Sequence, residues 1–249
     1  MLEILEQRVI EAKVFVLGRV LHEEPNLIKE ISRRGHEIAF HSVNHTHLTE
    51  ETPQRFKAEI QQYKQLLEDL TGKVIIGYRA PAFSLTEKSL WALDILAGLN
   101  FSYSSSLLPV KNPIFGFPGA PCCPFRWPNG LLEIPAPVAS FGPMVFQFLG
   151  GFYLPYLPKW FIQRCLERGG SEQCYWVYCH PYDFDPNETF YTMPGTTTLV
   201  SLLLWFNRRN TYQKLESIFP LQHTGERGFA SLIGAGEFDD AQAYAPQVS

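Results

Sequence analysis

Short apolar runs alternate with amphipathic runs along the first part of the chain. Residues 14–18 form a β-branched and aromatic run closed by a glycine, which is typical of a buried strand. Residues 25–34 then carry leucine and isoleucine at helical spacing and are followed by a glycine suited to a C-cap. Residues 36–41, with Ile38, Ala39 and Phe40 at their centre, predict a second strand. This alternation of strand and helix indicates an α/β fold.

The next segment repeats the unit with clearer helix signals. Thr52 and Pro53 suit the N-cap and the first helical position, apolar side chains recur on one face as far as Leu70, and Gly72 ends the pattern. Further strands are predicted at residues 74–78, 101–105, 131–134 and 175–179, and further helices at residues 86–97 and 158–168. Regular alternation of this kind predicts a parallel sheet, either open or closed into a barrel.

Three segments depart from this pattern. Residues 134–158 contain no charged side chain, but five prolines would break a membrane-spanning helix, so we expect a buried strand and apolar loops. Residues 197–206 are apolar but too short to span a bilayer, which favours a buried or surface-docked helix. Residues 221–249 are small and polar without periodicity, so we predict one domain over residues 1–220 followed by a disordered tail.

The composition narrows the classes of function. A formal net charge of -4 and a pI near 6.0 disfavour nucleic acid or an anionic membrane as the partner, and a polar or uncharged substrate fits better. The five cysteines show no CxxC spacing, which favours reduced thiols over a zinc knuckle or a disulfide framework. Residues 1–8 show no signal-peptide pattern, so we expect a cytoplasmic protein without a transmembrane segment.

Candidate chemistry follows three of the predicted strands. His41 and His45, four residues apart, could bind one metal ion, although solvated surface histidines give the same spacing by chance. Arg79 could orient a carboxylate or form a surface salt bridge, and His180 could protonate a leaving group or cap a strand. Because the carboxyl ends of parallel strands meet at one edge, we expect His41, Arg79 and His180 to gather there.

The order of motifs resembles the polysaccharide deacetylase superfamily, also called the NodB-homology or carbohydrate esterase family four proteins. The nearest likeness is to the branch associated with exopolysaccharide loci. The segments that carry this resemblance are Ala12 to Gly18, Gly35 to Ala39, His41 to His45, Gly77 to Phe83, Trp91 to Asp94, Tyr103 to Ser106 and His180 to Pro186. Together they span residues 12–186.

The resemblance implies a distorted (β/α) barrel and metal-dependent removal of N- or O-acetyl groups from an amino sugar or polysaccharide. It implies that a divalent metal, usually zinc, polarises the acetyl carbonyl and activates water, while an Asp acts as base. The residues implied are His41 and His45 as metal ligands, Arg79 as the group that orients the catalytic Asp, His180 as general acid, and Pro81, Phe83 and Ser104 as substrate-binding residues. The implied partner is an acetylated carbohydrate.

The sequence lacks acidic residues that the motifs of this family contain. The family's first strand, which ends in a Thr-Phe-Asp-Asp type sequence, has no counterpart here, so the base and the acidic metal ligand are absent from this chain. Ser104 also stands where many relatives have Asp. Three accounts stay open: a copy lacking its first strand, a non-catalytic relative that binds carbohydrate or assists polysaccharide assembly, and a divergent enzyme that recruits another acid.

Overall fold

The computed structural model describes residues 1–112, 115–141, 144–151, 153–169, 174–185, 187, 189–192, 197–206, 211–218 and 227–246. The chain divides into two compact units. The first unit comprises Leu2, Ile4–Ala136 and Gly225–Ser249, and the second comprises Met1, Glu3 and Pro137–Thr224.

The first unit contains a six-stranded mixed sheet. Its strands are β1 (Lys13–Val16), β2 (Glu37–Phe40), β3 (Gly77–Tyr78), β4 (Tyr103–Ser104), β5 (Phe125–Arg126) and β6 (Leu132–Glu133). They are hydrogen-bonded in the order β1-β2-β3-β4-β6-β5, and every pair is parallel except β5 with β6. The predicted α/β fold is therefore confirmed. Parallel strands need crossover connections, and these are supplied by the helices that follow β1, β2 and β3.

Helices cover the sheet of the first unit. They are α1 (Leu2–Gln7), α2 (Gly18–Glu23), α3 (Pro25–Arg33), α4 (Pro53–Thr71) and α5 (Trp91–Gly98). The sequence signals of α4 are confirmed, because Thr52 Oγ1 accepts a hydrogen bond from the backbone N–H of Arg55 and Gly72 ends the helix with φ +67°. Buried Ile60 and Leu67 on the inner face of α4 belong to the same hydrophobic core as the strand residues.

Within the residues that the structure describes, the second unit contains a hairpin and four α-helices. The hairpin pairs β7 (Val138–Phe141) with β8 (Met144–Gln147). The helices are α6 (Tyr153–Tyr156), α7 (Lys159–Arg168), α8 (Thr198–Phe206) and α9 (Thr211–Ile218). The strand predicted at residues 175–179 is wrong, since among the described residues this segment makes a single bridge, between Tyr178 and Gly150. Its apolar pattern arises because alternate side chains, at Tyr175, Val177 and Cys179, pack against the core of this unit.

The disordered tail predicted at residues 221–249 is also wrong for residues 227–246. A last helix, α10 (Phe229–Gly234), places Phe229 almost fully buried against Tyr103, with ring centroids 5.4 Å apart. Tyr244 packs on Phe125 at 5.1 Å. Two aromatic side chains, spaced too far apart to give a helical period, therefore anchor this segment. Residues 221–226 and 247–249 lie outside the described residues.

No helix among the described residues combines the length and the apolar character needed to cross a membrane.

Candidate active site

Three residues of the candidate site come directly after neighbouring parallel strands. His41 follows β2, Arg79 follows β3 and Ser105 follows β4. The backbone N–H of each donates to the carbonyl of the last residue of the preceding strand in the sheet, at 2.9, 3.0 and 2.9 Å. The sheet hydrogen bonding thus continues one step beyond the strands. The expectation that His41 and Arg79 gather at the carboxyl edge of the sheet is confirmed.

The two histidines lie close together at this edge. The Nδ1 atom of His41 is 2.7 Å from the backbone carbonyl oxygen of Arg79. Because a carbonyl oxygen only accepts, Nδ1 carries the proton, and the lone pair of His41 is on Nε2. The rings of His41 and His45 have centroids 5.2 Å apart at an interplanar angle of 79°. A histidine held through Nδ1 in this way is oriented as metal-binding histidines commonly are.

The backbone around the site adopts left-handed conformations that residues other than glycine rarely adopt. Ser42 and His45 have φ of +63° and +61°, and Ala82 and Phe83 have φ of +53° and +54°. These are four of the six positive-φ residues other than glycine that the described residues contain. Such strain persists only where the surroundings enforce it, and it concentrates at functional sites. The two site loops therefore carry the backbone signature of a binding region.

The spacing of the two imidazoles suits a shared zinc ion. Zinc–nitrogen bonds of about 2.0–2.1 Å in a tetrahedral arrangement place two ring centroids roughly 5 Å apart. However, the described residues contain no group of three or more His, Cys, Asp or Glu side chains that could hold a metal. Zinc sites in proteins commonly have three or four protein ligands. The pair therefore fits two positions of a metal site, and the described residues do not complete it.

Arg79 is buried beside the histidines. Its Nε donates to the carbonyl of Ser105 at 3.1 Å and its Nη2 donates to Ser105 Oγ at 2.9 Å. The guanidinium carbon lies 3.9 Å from the centroid of the Phe15 ring and 5.5 Å from that of Phe83. Burial excludes the alternative of a surface salt bridge. Hydrogen bonds on one side and a cation–π contact on the other fix the guanidinium plane at the end of the sheet.

Sequence reasoning missed a second polar group beneath this edge. Glu133 is fully buried, and its carboxylate accepts hydrogen bonds from the backbone N–H groups of Ser106 and Leu107 at 2.7 and 3.0 Å and from Trp127 Nε1 at 3.1 Å. Burial raises the pKa of Glu133, and the hydrogen bonds from Trp127 and Ser106 oppose this shift. One acid inside the apolar run from Leu131 to Ile134 was the available signal.

The carboxylate of Glu133 fixes the turn at Ser105 and Ser106, and this turn positions Arg79. Glu133 fixes the backbone of Ser106, whose Oγ accepts a hydrogen bond from the N–H of Ala80 at 2.9 Å. The neighbouring Ser105 binds the guanidinium of Arg79. A continuous set of hydrogen bonds therefore runs from Glu133 through the serine turn to Arg79 and on to His41.

The three predicted substrate-binding residues, Pro81, Phe83 and Ser104, are buried in this structure. Ser104 is fully buried and its Oγ is 2.9 Å from that of Ser106, and its contact with substrate stays a prediction. Pro81 and Phe83 are both buried in the turn after Arg79. Phe83 retains 8 % exposure, and the substrate contacts of Pro81 and Phe83 stay predictions.

His180, the predicted general acid, belongs to the second unit, whereas His41, His45 and Arg79 belong to the first. Its ring stacks on Tyr182, with centroids 4.7 Å apart and planes 7° apart. The Oδ2 atom of Asp183 accepts a hydrogen bond from the backbone N–H of His180 at 2.7 Å and lies 3.5 Å from Nδ1. A carboxylate beside the ring can orient an imidazole, and the role of His180 as acid stays a prediction.

Comparison with known families divides the chain in two. Residues 1–100 match the family model described as polysaccharide deacetylase, and residues 105–226 match a domain of unknown function, DUF3473.

Curated relatives agree with the first of these matches. The chain is 25% identical over 146 residues to a peptidoglycan-N-acetylglucosamine deacetylase of Bacillus cereus, covering 53% of this chain and 52% of that protein. It is 32% identical over 72 residues to a peptidoglycan-N-acetylmuramic acid deacetylase of Bacillus subtilis, covering 29% of this chain and 27% of that protein. The chain thus spans about half or less of the length of these relatives.

Solved structures share the fold. A protein of Mycobacterium smegmatis assigned to the polysaccharide deacetylases superimposes with a TM-score of 0.58 at 18% identity, covering 100% of this chain and 79% of that chain. A CE4 family pseudoenzyme of Bacillus anthracis superimposes with a TM-score of 0.50 at 14% identity, covering 98% of this chain and 60% of that chain. At these identities the likeness shows the fold alone. The match of residues 1–100 to the polysaccharide deacetylase family model and the likeness to curated relatives named as deacetylases therefore agree with each other.

Proposed function

We propose that this chain binds a divalent metal, zinc, through His41 and His45 and belongs to a hydrolase that removes acetyl groups from an amino sugar or polysaccharide. The observation that carries the proposal is the hydrogen bond from His41 Nδ1 to the Arg79 carbonyl, which places the lone pair of His41 on Nε2, in a ring whose centroid lies 5.2 Å from that of His45. Bound zinc would polarise an acetyl carbonyl and activate water. A role in exopolysaccharide metabolism and a cytoplasmic location are part of this proposal.

Arg79 and His180 are the protein groups proposed to act with the metal. The fixed guanidinium of Arg79 presents cationic hydrogen-bond donors that orient a carboxylate, which in this family is the catalytic base. The imidazole of His180 is the group proposed to protonate the departing amine. The curated relatives are named as deacetylases of peptidoglycan amino sugars, which supports an acetylated carbohydrate as the substrate class.

A second candidate function is carbohydrate binding without catalysis. One observation favours it: within the described residues, no third metal-binding side chain is grouped with the histidine pair. A metal held by two neutral histidines and water is bound weakly. The fold is also that of a protein named as a CE4 family pseudoenzyme.

Zinc titration calorimetry on the whole chain and on three variants tests the metal site. We expect His41→Ala and His45→Ala each to abolish the binding heat, and His22→Ala, an exposed histidine on α2, to leave it unchanged. Absence of zinc binding by the unaltered chain, or binding that survives both site variants, would contradict the proposed metal site.

Acetate release then separates the two candidate functions. Incubation with an acetylated glucosamine oligomer, followed by mass spectrometry, should show zinc-dependent loss of acetyl groups that His41→Ala and His180→Ala prevent. Glycan binding without acetate release would favour the non-catalytic candidate. Release that continues in His41→Ala would contradict the assignment of the site.

A further inference from the structure

The peptide unit between Arg79 and Ala80 lies where the hydrogen-bond ladder of β3 ends. The N–H of Arg79 still donates to the carbonyl of Phe40 in β2 at 3.0 Å. Both polar groups of the next peptide unit bond to side chains instead. The Arg79 carbonyl accepts from His41 Nδ1 at 2.7 Å, and the Ala80 N–H donates to Ser106 Oγ at 2.9 Å. Because His41 follows β2 and Ser106 lies just beyond β4, this peptide unit joins the ends of the two strands that flank β3.

The geometry of this peptide unit makes its two hydrogen bonds interdependent. The unit is planar and trans, so its N–H and its C=O point in opposite directions and turn together. Ser106 therefore aims the Arg79 carbonyl at His41 from the far side of β3. If the hydroxyl is removed, the buried Ala80 N–H loses its acceptor, and a rotation that finds another acceptor turns the carbonyl away from Nδ1.

Ser106 is itself held in place. Its backbone N–H donates to the carboxylate of Glu133 at 2.7 Å, and its side chain is buried. The Oγ atom accepts a hydrogen bond from the hydroxyl of Ser104 at 2.9 Å as well as the one from Ala80. These two donors use both lone pairs of the oxygen. The acceptor for the Ala80 N–H is therefore fixed before any ligand binds.

The neighbouring Ser105 acts on a different part of Arg79. Its carbonyl and its Oγ accept from Nε and Nη2 of the guanidinium, and its Oγ donates to the carbonyl of Ile134 at 2.7 Å. Ser105 and Ser106 are both buried. Two adjacent buried hydroxyls thus hold the side chain and the backbone of one residue separately.

We propose that Ser106 is a positioning residue for His41. By holding the peptide unit after Arg79, it keeps the carbonyl in place as the acceptor for Nδ1, and so keeps the imidazole in the tautomer whose lone pair is on Nε2. The effect on the tautomer needs no metal. The effect on zinc affinity rests on the proposed function.

The tautomer is measured by long-range proton–nitrogen correlation spectra of the metal-free whole chain, labelled with nitrogen-15 in its histidines. Spectra are recorded at about pH 8, above the ordinary imidazole pKa of about 6.5. The signals of His41 are those absent from the spectrum of His41→Ala. We expect the wild type to show the Nδ1–H form alone, and Ser106→Ala to show a share of the Nε2–H form, because the tautomer follows the hydrogen bonds of the ring nitrogens.

The matched control is Ser105→Ala, which also removes a buried hydroxyl but leaves the bond between Ala80 and Ser106 intact. We expect His41 to keep the Nδ1–H form in this variant. Circular dichroism during heating checks that each variant is folded. A second variant, Ser106→Cys, nearly keeps the shape of the side chain while its sulfur is a weak acceptor. It should shift the tautomer in the same direction as Ser106→Ala and serves in its place if the alanine variant does not fold.

Zinc titration calorimetry measures the consequence for the metal site. Groups that orient a metal-binding histidine contribute about 10–100-fold to metal affinity, so Ser106→Ala should weaken zinc binding about tenfold or more. Ser105→Ala should keep the wild-type affinity. If the unaltered chain binds no zinc, the proposed function fails, and the spectra of the metal-free chain decide the role of Ser106.

Two results would overturn the role proposed for Ser106. The first is a His41 signal that keeps the Nδ1–H form alone in folded Ser106→Ala or Ser106→Cys. The second is a tautomer change of the same size in Ser105→Ala, because loss of a buried hydroxyl anywhere in the turn would then suffice.

Discussion

The imidazole Nδ1 of His41 and the backbone carbonyl oxygen of Arg79 are joined by a hydrogen bond of 2.7 Å. This bond links the ends of two adjacent strands and sets the tautomer of the histidine at the same time. It involves the backbone of Arg79, whereas the guanidinium binds Ser105 and stacks on Phe15. One residue therefore has two separable functions in the site, and substitutions can distinguish them.

Substituting Arg79 should affect stability more than metal binding. Arg79→Lys keeps the backbone carbonyl but loses the planar guanidinium that bonds Ser105 and stacks on Phe15. We expect the free energy of unfolding in urea to fall by about 2 kcal/mol, while calorimetric zinc binding weakens less than in His41→Ala. The control Arg33→Lys changes an exposed ion pair with Glu30 and should leave stability unchanged. Equal urea midpoints for the two variants would refute the structural role of the Arg79 guanidinium.

Substituting Glu133 should destabilise the carboxyl edge of the sheet, because its carboxylate fixes the turn at Ser106 and Leu107. Glu133→Gln keeps the volume but replaces one acceptor oxygen by an amide donor, which then faces either Trp127 Nε1–H or the backbone N–H groups of Ser106 and Leu107. A buried donor left without an acceptor costs about 1–3 kcal/mol. Urea unfolding followed by tryptophan fluorescence should report a loss of this size. Glu87→Gln on the first-unit surface serves as the control, and a Glu133 variant as stable as this control would exclude the network.

The site residues that could be predicted from the sequence are those that directly follow an apolar strand, namely His41 and Arg79. His41 and Arg79 follow strands recognisable from their own side chains, and parallel strands must end at one edge of the sheet. Helix α4 was equally predictable, because its N-cap, proline and terminal glycine act within one turn of the chain.

What could not be predicted depends on residues distant in sequence. Glu133 acquires its function from a turn 26 residues earlier, and Phe229 packs on Tyr103, from which it is separated by about half of the chain. The run from Tyr175 to Cys179 has the alternation of a strand, but a strand also needs a neighbour, and here only Tyr178 has one. Local patterns report which side chains will be buried and do not report what will lie beside them.

Two glycines should respond differently to the same substitution. A Cβ at Gly77 in β3 would lie 2.2 Å from the Tyr103 ring, which is fully buried and cannot move aside, whereas a Cβ at Gly98 in α5 meets nothing within 4 Å. We expect Gly77→Ala to lower the free energy of unfolding by about 1–3 kcal/mol. In contrast, Gly98→Ala should be neutral or stabilising by up to about 1 kcal/mol. Thermal unfolding of both proteins side by side decides this, and a melting temperature for Gly77→Ala at or above that of Gly98→Ala would contradict the close packing of β3 on β4.

The carboxyl group of Glu37 should make stability depend on pH. Burial raises the pKa of Glu37 above its usual 4.5, although hydrogen bonds from the Tyr103 hydroxyl and the Ala230 N–H oppose the shift. Because the folded state then binds the proton more tightly than the unfolded state, this group favours folding below pH 4.5, and that advantage is lost as pH rises through the folded pKa. The free energy of unfolding of the wild type, measured in urea from pH 4.5 to about 7, should therefore fall relative to that of Glu37→Gln. An exposed control, Glu23→Gln, should follow the wild-type profile. Parallel profiles for the wild type and Glu37→Gln would show that Glu37 titrates alike in the folded and unfolded chains.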